Sequence, residues 1–393
     1  MSGRVVLHVA KASGISGSES HLLLLLPGLR ARGWDVRFLL LHEDEPGAAE
    51  LGRRLEEAGV PVEALQLPSA VSPTAFARLL RAVRSARPDI LHTHLVHADF
   101  HGLVAGRLAG VPVLASTKHG FNPFRDARAF AFADRTVARL ADLHIAISHG
   151  LARYLAEREG LREDSFDVVH YGIEPGPEPS LPDPEPRLAV VGRLIPIKGL
   201  DTLLDAVSRA AVPGLRVEID GDGPLRAELE AHAARVGLRD TVTFLGRVAP
   251  AGPVMERAAL VVVPSLGEGF GMVALEAMER GRAVIASAVG GLPEIVADGE
   301  TGLLVPPGDA AALAAAIQQL VGDHDRTAAM GAAGRARALE EFSQARCTQR
   351  TEALYEEALA EAVARPSRLR RRAQPRSSAN AASSASRKSH GTR

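Results

Sequence analysis

A single cysteine, Cys347, stands among 393 residues, so no disulfide can close within the chain and nothing asks for an oxidising compartment. Aromatic residues are scarce at 4 %, while alanine, leucine, valine and arginine abound, a balance that suits a helix-rich α/β protein. Long apolar runs are missing as well. Val5–Val9 is too short for the apolar region of a secretory leader, and Leu22–Leu26 falls far short of the ~20 residues that span a bilayer. The expectation is a cytoplasmic protein. Net charge is nearly absent, −1, but it is unevenly spread. From Arg365 onward the chain holds nine of its 46 Lys and Arg and no Asp or Glu, which leaves 37 basic against 47 acidic residues in the body. An acidic body argues against a nucleic-acid-binding protein. Also lacking is any strand followed by G-x-G-x-x-G with an acid about twenty residues on, which excludes the usual dinucleotide-dependent oxidoreductase.

What is present is an alternation of short apolar runs and amphipathic stretches. Val5–Val9, Val36–Leu41, Ile90–Leu91, Val113–Ala115 and Leu143–Ile147 read as buried parallel strands, with helical patterns such as Pro73–Ala86 and His97–Ala109 between them. Six prolines between Glu174 and Pro186 then break all periodicity and mark a stiff linker. The alternation restarts with strands at Leu188–Val191, Leu215–Asp220, Val242–Leu245, Leu260–Val263, Val284–Ser287 and Gly302–Val305. Helical stretches near Ala310–Leu320 and Gln344–Ala364 close the fold. The expected organisation is a first domain over 1–174, a linker over 175–186, a second domain over 187–343, a final helix over 344–364 and a disordered basic tail over 365–393.

The densest chemical signal is Pro264-Ser-Leu-Gly-Glu-Gly-Phe-Gly-Met-Val-Ala-Leu-Glu-Ala-Met278, a strand exit running into a helix. Its glycines leave backbone amides free at that helix's N-terminus, a place that binds anions. Glu268 lies in the loop and Glu276 two turns into the helix, a separation that suits two hydroxyl-binding carboxylates better than one acid/base pair. This string resembles the E-x7-E signature of the retaining glycosyltransferases of family 4, whose fold is GT-B. The resemblance implies that Glu276 holds the donor ribose, that Glu268 meets donor-sugar hydroxyls, and that the main chain from Gly269 through Phe270, Gly271, Met272 and Val273 contacts sugar and diphosphate. Val191-Gly-Arg-Leu-Ile-Pro-Ile-Lys-Gly199 also resembles the family, which gives Arg193 and Lys198 to the departing diphosphate. Gly221-Asp-Gly-Pro224, Thr243-Phe-Leu-Gly246, Ala288–Glu294 and Gly299–Val305 follow in the family's order, and the likeness covers roughly Arg4 to Leu359.

The first domain matches less sharply. Gly14 and Gly17, in the loop after the first strand, would let the main chain approach the donor phosphates, although Ser16-Gly17 replaces the family's adjacent glycines. Pro27 falls inside the next helical pattern, where a kink is expected. His119 resembles the family histidine that contacts the donor sugar. His94 ends a strand and is expected to face the cleft on the acceptor side, with Phe121 and Arg125 as further acceptor-side candidates. Tyr171-Gly-Ile-Glu174 resembles the family's Asn-Gly-Ile-Asp, with tyrosine for asparagine. His97 and His101, four apart on a helix, offer the best metal pair, but no Glu or Cys joins them and no metal is expected. Phe121, Phe124, Phe130 and Phe132, interleaved with arginines, read either as packing onto their own sheet or as a lip that touches a lipid surface.

The implied architecture is α/β of GT-B type: two Rossmann-like domains facing across a cleft, with a C-terminal helix crossing back to the first. The implied activity is retaining hexosyl transfer from a nucleotide sugar to a glycan or lipid-linked acceptor, with no cofactor beyond that co-substrate. Peripheral association with an anionic membrane surface is a further expectation from the basic tail. An epimerase or phosphorylase of the same fold, or a non-catalytic binder of sugar nucleotides, are the competing readings.

Overall fold

The computed structural model describes residues 3–43, 46–67, 72–121, 128–159, 162–179, 185–248 and 251–364. Arg125, Phe124 and the basic tail lie outside them, as do residues 180–184 of the proline-rich stretch. Two parallel sheets organise the chain. The first contains β1 (Val5–Lys11), β2 (Asp35–His42), β3 (Val62–Gln66), β4 (Ile90–His94), β5 (Val113–Lys118), β6 (Leu143–Ala146) and β7 (Phe166–Val168), in spatial order β3-β2-β1-β4-β5-β6-β7. The second contains β8 (Arg187–Val191), β9 (Arg216–Asp220), β10 (Val242–Gly246), β11 (Leu260–Val263), β12 (Ala283–Ser287) and β13 (Gly302–Val305), in order β10-β9-β8-β11-β12-β13. Helices on both faces of each sheet bury the strands on two sides, which is why these strands read as continuous apolar runs.

Strand order reverses beside β1 in the first sheet and beside β8 in the second. Such a switch point opens a crevice at the carboxyl ends of the strands, where doubly wound sheets bind ligands. The loops after β8 and β11 that carry the family-like motifs therefore start at one crevice.

The last helix, Gln344–Ala364, belongs to the first domain's core. Its Cys347, Leu354, Tyr355 and Leu359 pack with Leu22, Leu25 and Leu29 of the helix Gly17–Ala31 and with Phe38 of β2. The Trp34 indole donates to Glu352 at 3.1 Å, and Gly28 faces Thr348 so closely that a Cβ there would lie 2.7 Å from its hydroxyl. The crossing back is thus held by apolar packing, by polar contacts that include Arg32 on Glu352, and by a close approach. Helix Gly17–Ala31 runs through Pro27 without a break.

Four elements depart from the sequence expectation. β3 was missed because only Leu65 of its five residues is buried, so its pattern is that of an edge strand. β7 is three residues long and escaped notice for that reason. The helix His324–Glu341 was missed because its buried face is made of Thr327, Met330, Gly331, Gly334 and Ala338. Small residues are required there, since a Cβ at Gly331 would come within 2.1 Å of the Gly281 carbonyl. The helical pattern at His97–Ala109 begins at Leu95 and contains a π turn over Asp99–Leu103. Within that turn Asp99 meets Lys118 at 2.6 Å and accepts from Thr93 at 2.5 Å and Ser116 at 2.8 Å. Fully hydrogen-bonded, the buried charge is tolerated, and it anchors the end of β5 just before His119.

Candidate functional site

Glycines shape the second domain's crevice. At Gly221, with φ +156°, a Cβ would fall 1.8 Å from the Gly192 carbonyl, so the loop after β9 can lie against the loop after β8 only with glycine there. Gly199, with φ +62°, ends the single turn Pro196–Lys198 and sits on the Pro264 carbonyl. Leu266 N donates to Ile197 O at 2.8 Å, tying the two motif-bearing loops together. These contacts bring Lys198 and Glu268, seventy residues apart, to 2.6 Å, and Ser265 adds a second donor to the same carboxylate at 3.2 Å. Both side chains are partly open to solvent, and Arg193 is exposed nearby on the same loop.

Beyond Glu268 the chain turns through Gly271, φ +118°, into the helix Met272–Glu279. No main-chain carbonyl among the described residues takes the amides from Gly269 to Val273. Free amides at a helix start favour an anion. Glu276 lies along this helix, half-buried, and burial, with Glu279 beside it, outweighs the opposing Arg280 and pushes its carboxyl above the ordinary range. Among the described residues no hydrogen bond reaches that carboxylate, so its acceptor capacity is open to a ligand.

The other wall comes from the first domain. Ser148, fully buried, donates to Gly269 O at 2.6 Å. Gly269 also touches His119 and Gly120, for a Cβ there would lie 3.1 Å from the His119 carbonyl oxygen. Glu294, from the second domain, caps the first-domain helix His149–Glu159 by accepting from His149 N at 3.0 Å and Gly150 N at 2.9 Å. Burial alone would raise its pKa. The His170 hydrogen bond at 2.7 Å and the two amides outweigh that and leave it lowered. Gly17 faces Met272 at ordinary contact distance, whereas Gly14 faces open space.

Two sequence expectations change here. His94 does not face the cleft: it is fully buried, with His8 on one ring nitrogen at 2.8 Å and His119 on the other at 2.9 Å. His119 stands at the cleft, but its own ring nitrogens are engaged by His94 and by the Tyr171 hydroxyl. Position 171 is therefore a contact of His119, and its ring also lies 5.3 Å from that of Phe270 in the donor-side loop. Phe121 packs edge-on against Tyr154 at 4.5 Å, consistent with packing on its own domain, while Phe132 is exposed. His101 bonds the His97 carbonyl at 2.9 Å instead of completing a metal pair with it. Ring nitrogens of His8, His92 and His94 do cluster, but each one has a hydrogen-bond partner in the chain.

Residues 185–323 match the family described as glycosyl transferases group 1, and residues 16–172 match the glycosyl transferase 4-like domain. The alpha-maltose-1-phosphate synthase of Mycolicibacterium smegmatis is 35 % identical over 68 % of this chain and 78 % of its own. The chain belongs to the group 1 glycosyltransferases. A D-inositol 3-phosphate glycosyltransferase of the same organism is 33 % identical over 74 % of this chain and 72 % of its own. Among solved structures, Anabaena HepE in complex with UDP and glucose superposes with a TM-score of 0.79 at 23 % identity, over 90 % of this chain and all of that one. The same protein with UDP-glucose gives 0.78 at 24 %, over 91 % and 99 %. The fold of this glycosyltransferase is GT-B.

Ser148, His170 and Glu294 escaped sequence reasoning as site residues. Glu294 had been placed in a family-like loop, but only the fold shows that it reaches the opposite domain.

Proposed function

We propose that this glycosyltransferase moves a sugar from a nucleotide-diphosphate sugar to a glycan or lipid-linked acceptor in cell-envelope or polysaccharide synthesis, with retention of configuration. The observation that carries this reading is the Lys198–Glu268 pair beside a free helix start, with the half-buried Glu276 along the same helix. A diphosphate arriving at the free amides would draw Lys198 and Arg193 to itself. Glu268, released from Lys198, would then accept from sugar hydroxyls, and Glu276 would take the ribose pair it now lacks. Stabilising charge on the leaving diphosphate is the chief electrostatic task of such a site.

No protein nucleophile is assigned. Glu268, once released, is given to the sugar hydroxyls, and the departing phosphate can itself take the acceptor proton on the face it leaves. Donors carrying uridine come first for trial, by analogy with the HepE complexes. Relatives named for maltose-1-phosphate and inositol 3-phosphate add phosphorylated sugars and polyols to the acceptor panel. Proton NMR of the isolated product tests the stereochemistry: an α-donor should yield an α-linkage, and a β-linkage contradicts retention.

The basic tail after Arg365 would hold the enzyme against an anionic membrane surface, where lipid-linked acceptors lie. No described helix is long and apolar enough to cross a membrane. Truncation after Arg365 should abolish low-salt co-sedimentation with phosphatidylserine vesicles; equal sedimentation of both proteins rejects the anchor.

A further inference from the structure

The histidines of the first domain form one chain of hydrogen bonds that ends beside the donor loop. From the cleft inward, the Tyr171 hydroxyl meets His119 Nδ1, and His119 Nε2 meets His94 Nδ1 at 2.9 Å. His94 Nε2 meets His8 Nδ1 at 2.8 Å, and His8 Nε2 meets the Tyr355 hydroxyl at 3.4 Å. Tyr355 in turn meets His92 Nδ1 at 2.5 Å, and His92 Nε2 meets Thr117 Oγ1 at 2.6 Å. The chain thus links the closing helix, three strands of the first sheet and the segment that enters the linker.

Burial disfavours the charged form of all four rings: it lowers His8, His94 and His119 well below the ordinary histidine range, and His92 to about 3. A neutral imidazole has one N–H and one bare nitrogen, so a ring that accepts on one side donates on the other. Each histidine–histidine link joins an ε nitrogen to a δ nitrogen, so the direction of one bond fixes the protons of His119, His94 and His8 together. Either these three rings carry the proton on Nε2, or all three carry it on Nδ1; the Tyr355 hydroxyl can accept twice, which leaves His92 a separate choice. A phenol is the more acidic partner and an imidazole nitrogen the more basic, which selects the direction in which Tyr171 donates.

We propose that Tyr171 is a positioning residue for sugar transfer: its hydroxyl donates to His119 Nδ1 and, with the chain running back to Tyr355, holds His119 in its Nε2–H tautomer and in one orientation against the donor loop. The aromatic surroundings fit this task. The Tyr171 ring stacks on His21 at 4.4 Å and meets Phe270 edge-on at 5.3 Å, so the group that orients His119 also supports the donor loop. With both ring nitrogens committed, His119 turns its main-chain carbonyl toward Gly269.

The kinetic part of this inference rests on the proposed transfer; the tautomers do not. Two-bond 1H–15N spectra of the full chain labelled at histidine, near neutral pH and without substrate, should show Nε2 protonated and Nδ1 bare at His8, His94 and His119 together. A proton on Nδ1 at any of the three overturns the proposal. Tyr171→Phe keeps the ring packing and removes the donor. It should lower kcat for nucleoside diphosphate release about tenfold at unchanged donor KM, and an unchanged kcat overturns the positioning role. Should that variant fail to fold, Tyr355→Phe breaks the far end instead: His119 should keep its Nε2 proton, and a move to Nδ1 shows that Tyr171 does not set the direction. A wild-type chain inert toward every donor would count against the transferase reading alone, since the spectra decide the hydrogen-bond chain separately.

Discussion

The proposed function gives Glu276 and Lys198 different duties toward one donor, and kinetics separates them. Glu276 is a half-buried acceptor with no donor among the described residues, so a donor hydroxyl bound there would contribute in the ground state as well as the transition state. Glu276→Ala should raise donor KM and cut kcat/KM by about ten- to hundredfold, the worth of a charged hydrogen-bond acceptor; normal KM and turnover would remove it from the donor site. In the proposed transfer Lys198 would matter most as the diphosphate leaves. Lys198→Ala should depress kcat by about 10²-fold with a smaller change in KM, and turnover within a factor of two of wild type makes it a bystander. His21 tests the buried imidazoles by a different route, since burial lowers it to about 3. Above the unfolded value of 6.5 both states are neutral. As pH falls below that, the unfolded chain takes a proton that the folded chain refuses until about 3, so stability drops through this window. Urea unfolding at pH 7, 6 and 5 should show that His21→Gln weakens the dependence by about one proton; identical slopes contradict the burial argument.

Among the elements, those set by local pattern were legible. The apolar runs of β1, β2, β5 and β11 and the Pro73–Ala86 helix could be read directly, because strands buried on two faces and an amphipathic helix write their burial into short windows. The loop glutamate, its glycines and Glu276 were legible for the same reason: fifteen contiguous residues hold them. The histidine chain was not, since His8, His92, His94, His119, Tyr171 and Tyr355 come from five segments and only the fold brings them together. His94 was misjudged because the end of a strand was equated with the cleft wall, whereas the loops beyond β4 and β5 cover it. The loop over Ala288–Glu294 gives an element-scale test. Gly290 has φ +55°, and a Cβ there would lie 1.6 Å from the Glu268 carbonyl. Gly290→Ala should therefore cost about 3 kcal/mol in urea unfolding and displace Glu268, weakening donor binding as well. A stable variant with wild-type affinity would show that the two loops do not depend on each other.

Across the whole molecule, the two domains share an apolar cluster, in which Ile147, Leu151 and Tyr171 join Phe270 and Leu292, and polar contacts add to it: Ser148 on Gly269, Glu294 on His149, Gly150 and His170, with the final helix returning to the first core. On the proposed reading the donor would be held from the second domain with His119 and Gly120 beside it from the first, so neither domain alone should catalyse transfer. Lys198, Arg193 and the helix amides would then meet the charge on the diphosphate without an added cation. Activity should survive exhaustive EDTA treatment, and abolition by chelator with rescue by manganese or zinc would contradict that account. The most direct measurement is nucleoside diphosphate release from UDP-, GDP- and ADP-sugars, with and without glycan, lipid-linked and phosphorylated acceptors. Release is expected from one nucleotide class, rising strongly with a suitable acceptor and falling about ten- to hundredfold in kcat/KM in Glu276→Ala. Donor consumption that ignores every acceptor, or that survives Glu276→Ala unchanged, would contradict sugar transfer at this cleft.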